Sequence, residues 1–238
     1  TLTARNNLAG AYKSAGRFAE AIELYEQVLA ERERVLGADH LDTLTVRSNL
    51  ASAYDSVGRF GEAIELFEQV LADRVRVLGA DHPDTLTVRS NLASAYYSVG
   101  RFGEAIELFE QVLAERERVL GADHPDTLTV RDNLAVAYDS VGRLAEVIDA
   151  LEELLPDCQR VLGPDHPDTL NTRNNLASAY DSVGRLAEAI DEWEELLPDC
   201  QRVLGLEHPL TKRVEKNLEA AKRKMNPPDT PSPETGED

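Results

Sequence analysis

The chain repeats itself every 42 residues, and that period constrains its fold more than any other feature. Thr43, Thr85, Thr127, Thr169 and Thr211 recur at this interval, as do Gly37, Gly79, Gly121, Gly163 and Gly205. Three further series keep the same phase: Asn7, Asn49, Asn91, Asn133, Asn175 and Asn217; Tyr12, Tyr54, Tyr96, Tyr138 and Tyr180; and Gly16, Gly58, Gly100, Gly142 and Gly184. Chance does not produce this. Within one unit, Leu86, Leu92, Ala93, Tyr96 and Val99 fall at the three-and-four spacing of a helix face, and Phe102, Ala105, Ile106, Phe109, Val112 and Leu113 repeat it. Each unit therefore reads as two amphipathic helices, near 83–98 and 102–120 in one copy. Gly100-Arg101 makes the tight turn between them, and Gly121 ends the second helix. Asp123-His124-Pro125-Asp126-Thr127 starts the next helix, because proline in a first turn lacks only a donor that has no partner there and Asp126 complements the helix dipole.

One such hairpin cannot bury its apolar faces alone, so the units stack and share a continuous core. Repeats are placed at 1–42 (with a truncated start), 43–84, 85–126, 127–168 and 169–210. Residues 211–225 keep Thr211, Asn217 and Leu218 in register but turn rich in Lys and Glu, as a capping helix does; 226–238, with four prolines, reads as a disordered tail.

The unit Gly79-Ala-Asp-His-Pro-Asp-Thr-Leu, followed by Asn91-Leu-Ala, Tyr96, Gly100-Arg101, Glu104-Ala105 and a long second helix, resembles the 42-residue tetratricopeptide repeats of kinesin light chains, over residues 1–225. Similar arrays are common in bacterial proteins, often behind a signalling nucleotide-hydrolase domain. The resemblance implies an all-α, right-handed superhelical solenoid of helix-turn-helix repeats that binds protein on a concave face lined by the first helices. It also implies that Asn7, Asn49, Asn91, Asn133 and Asn175 hold an extended peptide by its main chain, since a carboxamide both donates and accepts. The alternative is that these asparagines only bond between neighbouring repeats.

Beside that ladder stand Ser52 and Asp55 in the second repeat, Ser94 and Tyr97 in the third, and Val136 and Asp139 in the fourth, which makes the expected groove polar and slightly acidic. With Ser, Asp or Asn where a carboxylate clamp needs Lys or Arg, no such clamp for acidic C-termini is expected. Tyr97 replaces Asp55 and Val136 replaces a serine, so the two read either as one apolar pocket with Tyr97 as its anchor or as repeat drift. Arg5, Arg47, Arg89, Arg131 and Arg173 lie on the apolar stripe, where an arginine lays its stem over the core and pairs with a carboxylate. His40, His82, His124, His166 and His208 are one per repeat, whereas a metal needs three or four converging ligands, so they read as helix caps.

Composition narrows the partners. With 44 acidic against 25 basic residues the formal charge is -19, which repels phosphate backbones and anionic lipid. No stretch approaches the roughly 18 apolar residues of a membrane span, so neither nucleic acid nor membrane is expected, and the chain reads as soluble and cytoplasmic. Residues 127–210 carry 17 of the acids and 6 of the bases, with Glu146, Asp149, Glu152, Glu153 and Asp157 and their counterparts on the second helices. That face serves solubility, or else takes a basic partner. Cys158 and Cys200 hold one register position in successive repeats, roughly 10 Å apart, beyond the ~7 Å that a disulfide spans, so both are expected as free thiols. Pro156 and Pro198 fall inside second helices and are expected to kink or restart them, with a change of curvature between the third and fourth repeats. Trp193 is in register with Phe67, Phe109 and Leu151 and belongs to the core.

No acid, base or nucleophile breaks the repeat pattern to meet others in a pocket, and no cofactor motif is present. The function expected is non-catalytic binding of a peptide or partner domain in the groove, as the adaptor or sensor part of a larger signalling protein. The alternative is an architectural module that stacks end to end, as a monomer or with weak self-association.

Overall fold

The computed structural model describes residues 1–226; the expected disordered tail lies outside them from residue 227 on. Among the described residues there are eleven helices and no strand: α1 (Leu2–Ser14), α2 (Phe18–Leu36), α3 (Leu41–Ser56), α4 (Phe60–Leu78), α5 (Pro83–Ser98), α6 (Phe102–Leu120), α7 (Pro125–Ser140), α8 (Leu144–Val161), α9 (Pro167–Ser182), α10 (Leu186–Leu204) and α11 (Pro209–Met225). The chain divides into two compact units, Thr1–Val141 with α1 to α7 and a second beginning at Gly142 with α8 to α11. In the first unit each helix packs on the next, and the odd-numbered helices also touch one another; in the second, α8, α9, α10 and α11 pack in sequence and α9 also meets α11.

Each helix starts and stops where its residues dictate. His40, His82, His124, His166 and His208 are N-caps whose side chains accept the N–H two residues on, at 3.1 to 3.2 Å. A histidine does here what Ser or Asp usually does, satisfying a donor that has no partner inside the helix. At the hairpin turn, Arg59 N–H donates to the Tyr54 carbonyl and Gly58 N–H to that of Asp55, with Gly58 at φ +77°. This double closure requires left-handed backbone, which glycine adopts without strain. Gly79 ends α4 at φ +96° and ψ 161°, a region essentially closed to other residues.

The first unit's core runs through Leu44, Leu50, Phe67 and Val70 and on to Phe109 and Leu134. Two polar locks repeat around it. Tyr54, Tyr96 and Tyr138 each donate a hydroxyl 2.8 Å to a glutamate on the preceding repeat's second helix, Glu26, Glu68 and Glu110. Arg59 and Arg101 lie 3.9 Å over the Tyr54 and Tyr96 rings, and each also holds the glutamate three residues on. Arg32, Arg74 and Arg116, only 4 to 6% exposed, cross from one repeat to the next and donate to the carbonyls of Asp42, Asp84 and Asp126 at 2.7, 2.9 and 2.6 Å. Burial pushes the Arg74 and Arg116 guanidinium groups down, and the adjacent Asp84 and Asp126 carboxylates partly restore them.

The second unit uses the same frame with different chemistry. The register of those buried arginines holds Cys158 and Cys200, both buried free thiols, and Cys158 lies 4.0 Å from the Thr172 hydroxyl. Trp193 is 1% exposed, and its indole N–H donates 3.2 Å to the buried Asn174. That asparagine stands where Ser48 and Ser90 stand in the first unit, so the larger ring and its acceptor come together. Tyr180 donates to Glu152 at 2.9 Å under Arg185.

The expected restart at the prolines is not found: α8 continues through Pro156 and α10 through Pro198. Both rings are exposed while Leu154, Cys158, Leu196 and Cys200 on either side are buried. The missing donor thus falls on the solvent side, and core packing on both flanks holds the helix together.

The backbone and the tyrosine lock are both open to test. Gly79→Ala destabilises the first unit by about 1–3 kcal/mol in urea unfolding. Gly61→Ala, with open space around its Cβ and alanine at the equivalent positions 19, 145 and 187, stabilises it by roughly 0.5 kcal/mol. Burial and then Glu152 raise the Tyr180 phenol to about 12. The protonated phenol is the form the fold favours, so its stabilisation is complete below the ordinary tyrosine pKa near 10 and is lost as pH rises through about 12. Tyr180→Phe removes that late step from the alkaline absorbance titration.

Candidate functional site

The odd-numbered helices of the first unit, α1, α3, α5 and α7, place the asparagine series in one register, and the structure divides its members by what their side chains do. Asn49 Nδ2 donates 3.4 Å to Asn6 Oδ1 on α1, which is a bond between repeats. Asn7 is exposed, and Asn91 and Asn133 are half-buried. The side chains of these three make no hydrogen bond among the described residues. Asn175 belongs to the second unit and is half-buried and bonded.

Beside the ladder, Ser52 accepts a hydrogen bond from the Lys13 ammonium. Lys13 is one repeat ahead of Asp55 in register and is the basic residue on this face that the reading of the second to fourth repeats passed over. Asp55 is half-buried and its Oδ1 has no hydrogen-bond partner. Burial pushes its carboxyl up, and Lys13 draws it back. Burial in turn pushes Lys13 down, against the attraction of Asp55. Ser94 donates back to the Ser90 carbonyl at 3.2 Å, so its hydroxyl oxygen keeps its lone pairs. Asp139 is exposed and Val136 half-buried.

Tyr97 is engaged within the fold. Its ring lies 5.3 Å from that of Phe102, tilted by 59°, and its hydroxyl accepts a 2.9 Å hydrogen bond from Ser140 on α7. The aromatic therefore ties α5, α6 and α7 together and keeps one half-buried edge on the face. The arginine series is structural where its partners are seen: Arg5 meets Glu31 and Gln27, Arg47 meets Glu33 and Asp73, and Arg173 meets Glu192 and Asp199. Among the described residues no group of three or more His, Cys, Asp or Glu converges as a metal site, and no helix is long and apolar enough to cross a membrane.

The residues missed by sequence reasoning are the buried Arg32, Arg74 and Arg116. Their signal was available: they share a register with Cys158 and Cys200, and cysteine is among the most buried residue types.

Tandem helical hairpins with an asparagine-bearing face on their first helices define a helical repeat protein. Comparison specifies which kind: the tetratricopeptide repeat family model matches residues 1–74, 57–114, 97–157 and 142–197, and the chain belongs to that family. Its repeats are of the kinesin light chain-like type. Two crystal structures of a Podosopora anserina putative kinesin light chain with nearly identical TPR-like repeats are similar to it. One is 35% identical, with a TM-score of 0.71, over 84% of this chain and 95% of that one. The other is 31% identical, with a TM-score of 0.67, over 95% and 97%. A thermophilic TPR protein of Thermus thermophilus shares the fold at 21% identity and a TM-score of 0.64, over 92% of this chain and all of that one. A search of curated proteins gives no match.

Because Tyr97 bridges three helices, Tyr97→Ala lowers the first unit's stability by about 1–2 kcal/mol, and Ser140→Ala by about 0.5–1.5 kcal/mol. Thermal unfolding followed by circular dichroism checks both.

Proposed function

We propose that this chain is a non-catalytic protein-protein interaction module that takes an extended peptide or a partner domain on its first-helix face, as the adaptor or sensor part of a larger signalling protein. Tetratricopeptide repeats mediate protein-protein contacts in general. The observation that carries the finer reading is that the side chains of Asn91 and Asn133 are half-buried yet make no hydrogen bond among the described residues. A half-buried carboxamide with donors and acceptor to spare gains most from a ligand that supplies both complements, and an extended main chain does so at every residue. Asn49, spent on Asn6, contributes less.

Charge favours one class of peptide. Asp55 and Asp139 stand beside the ladder, and the chain as a whole carries -19, so a segment with lysine or arginine near its centre gains and an acidic one is repelled. In the first unit, Lys13 marks a place on this face where an acidic side chain of the ligand fits.

The test is capture of partners from cytosolic extract with the parent chain, with Asn91→Ala/Asn133→Ala, and with Asn49→Ala, read by mass spectrometry. The expected result is a partner held by the parent and by Asn49→Ala and lost by the double variant. A partner retained by all three overturns the first-helix site and moves binding to the acidic second helices or to the ends.

A further inference from the structure

The gap between neighbouring first helices is filled differently from one step to the next, and the chain itself shows what fits it. Between α5 and α7 the Tyr97 side chain crosses the gap, and its hydroxyl accepts a 2.9 Å hydrogen bond from Ser140 on α7. Between α1 and α3 Lys13, at the same register, makes the same crossing and its ammonium donates to Ser52. In the second unit that register holds Asp181 on α9, too short to cross, and Ala220 on α11 stands where the first unit has Val136. These two shorter side chains leave a cavity of about 200 Å³ between α9 and α11, lined by Ser178, Asp181, Ser182, Asn217 and Ala220, with Trp193 of α10 at its floor. Trp193 is larger than Phe109 at the same register, but it is 1% exposed and its indole N–H is held by Asn174, so it does not fill the space.

We infer that this cavity is a subsite for a tyrosine side chain of a partner peptide. The inference rests on the peptide binding proposed above for the first-helix face and names one side chain of that peptide. Three observations select a phenol. The first is Tyr97, a phenol in the equivalent gap, where the counterparts of Ser178, Trp193, Asn217 and Ala220 are Ser94, Phe109, Asn133 and Val136. An aromatic ring from the peptide packs on Trp193 as the core aromatics pack on one another.

The second is the hydrogen-bonding capacity at the rim. Lys224, at the register of Ser140, donates 2.9 and 2.6 Å to the two carboxylate oxygens of Asp181. The ammonium keeps a third N–H and the carboxylate keeps further lone pairs. The half-buried Asn217 carboxamide makes no hydrogen bond among the described residues. A phenolic hydroxyl both accepts and donates, so it takes an N–H from Lys224 and gives its own proton to the Asp181 or Asn217 oxygen. The third is charge. Lys222, Arg223 and Lys224 crowd the last turn of α11 and repel an incoming lysine or arginine, while Asp181 repels a carboxylate. A neutral ring meets neither penalty.

Trp193 is the chain's only tryptophan, so its indole N–H gives a single resonance that reports on this cavity. The probe is N-acetyl-tyrosine amide, titrated into the full isotope-labelled chain and followed by proton–nitrogen correlation spectra. A saturable shift of that resonance is expected, with N-acetyl-phenylalanine amide and N-acetyl-lysine amide each binding at least about threefold more weakly. Asp181→Tyr/Lys224→Ser reproduces the pair at 97 and 140 and fills the cavity with the chain's own ring. That variant melts no lower than the parent by circular dichroism and loses the response. Absence of a saturable shift overturns the inference, as does a shift that the double variant keeps, because the probe is then bound elsewhere. Equal or tighter binding of the phenylalanine or lysine amide also overturns it. A blocked amino acid needs neither Asn91 nor Asn133, so failure here and failure of the partner capture are separate results.

Discussion

Everything else in this molecule depends on the contact that each first helix makes with the second helix of the repeat before it. A single hairpin leaves one apolar flank bare, so a repeat is stable only as part of a stack. In the first unit that contact has three parts: leucine and alanine driven from water, a tyrosine hydroxyl on a glutamate, and a buried arginine on a backbone carbonyl. The apolar part supplies most of the free energy, at roughly 25 cal/mol per Å². The polar parts fix the register, because a tyrosine or arginine shifted along the helix leaves a buried group without a partner. Arg32, Arg74 and Arg116 sharpen this, since each also holds an Nε–H that has no partner and tolerates no further loss.

The second unit meets the same demand with less charge. Cysteine replaces the buried arginine, and tryptophan bonded to Asn174 fills the layer that Phe67 and Phe109 fill in the first. Exchanging a desolvated guanidinium for a thiol removes a desolvation cost together with its hydrogen bonds, which is why the frame survives the change. With the register fixed by these contacts, the faces of the first helices are left to vary, and they do: position 13 of the repeat is lysine, aspartate, tyrosine and aspartate through the first unit.

The helices and their ends were legible because single residues with one physical use mark them. Pro83, Gly100 and Gly121 bound α5 and α6 at residues 83, 98, 102 and 120, and the cap histidines announce the starts of α3, α5, α7, α9 and α11. The buried arginines were not legible as such, because Arg32 sits in a charged run with Glu31, Glu33 and Arg34 and only the phase of the period tells which side chain turns inward. Nor was the continuity of α8 and α10, since proline argues for a break and only the burial of Leu154 and Cys158 around Pro156 shows what holds the helix. The asparagine ladder reads as one uniform motif; that the Asn49 side chain bonds Asn6 while that of Asn91 makes no bond depends on a neighbour 43 residues away, asparagine for Asn49 and Ser48 for Asn91.

The most direct test of the binding account is a photo-crosslinking amino acid placed at Ser94 on a first helix and, separately, at Glu107 on the exposed side of a second helix. Binding on the first-helix face predicts that a captured partner crosslinks from position 94 and not from position 107. Crosslinking from 107 alone contradicts it.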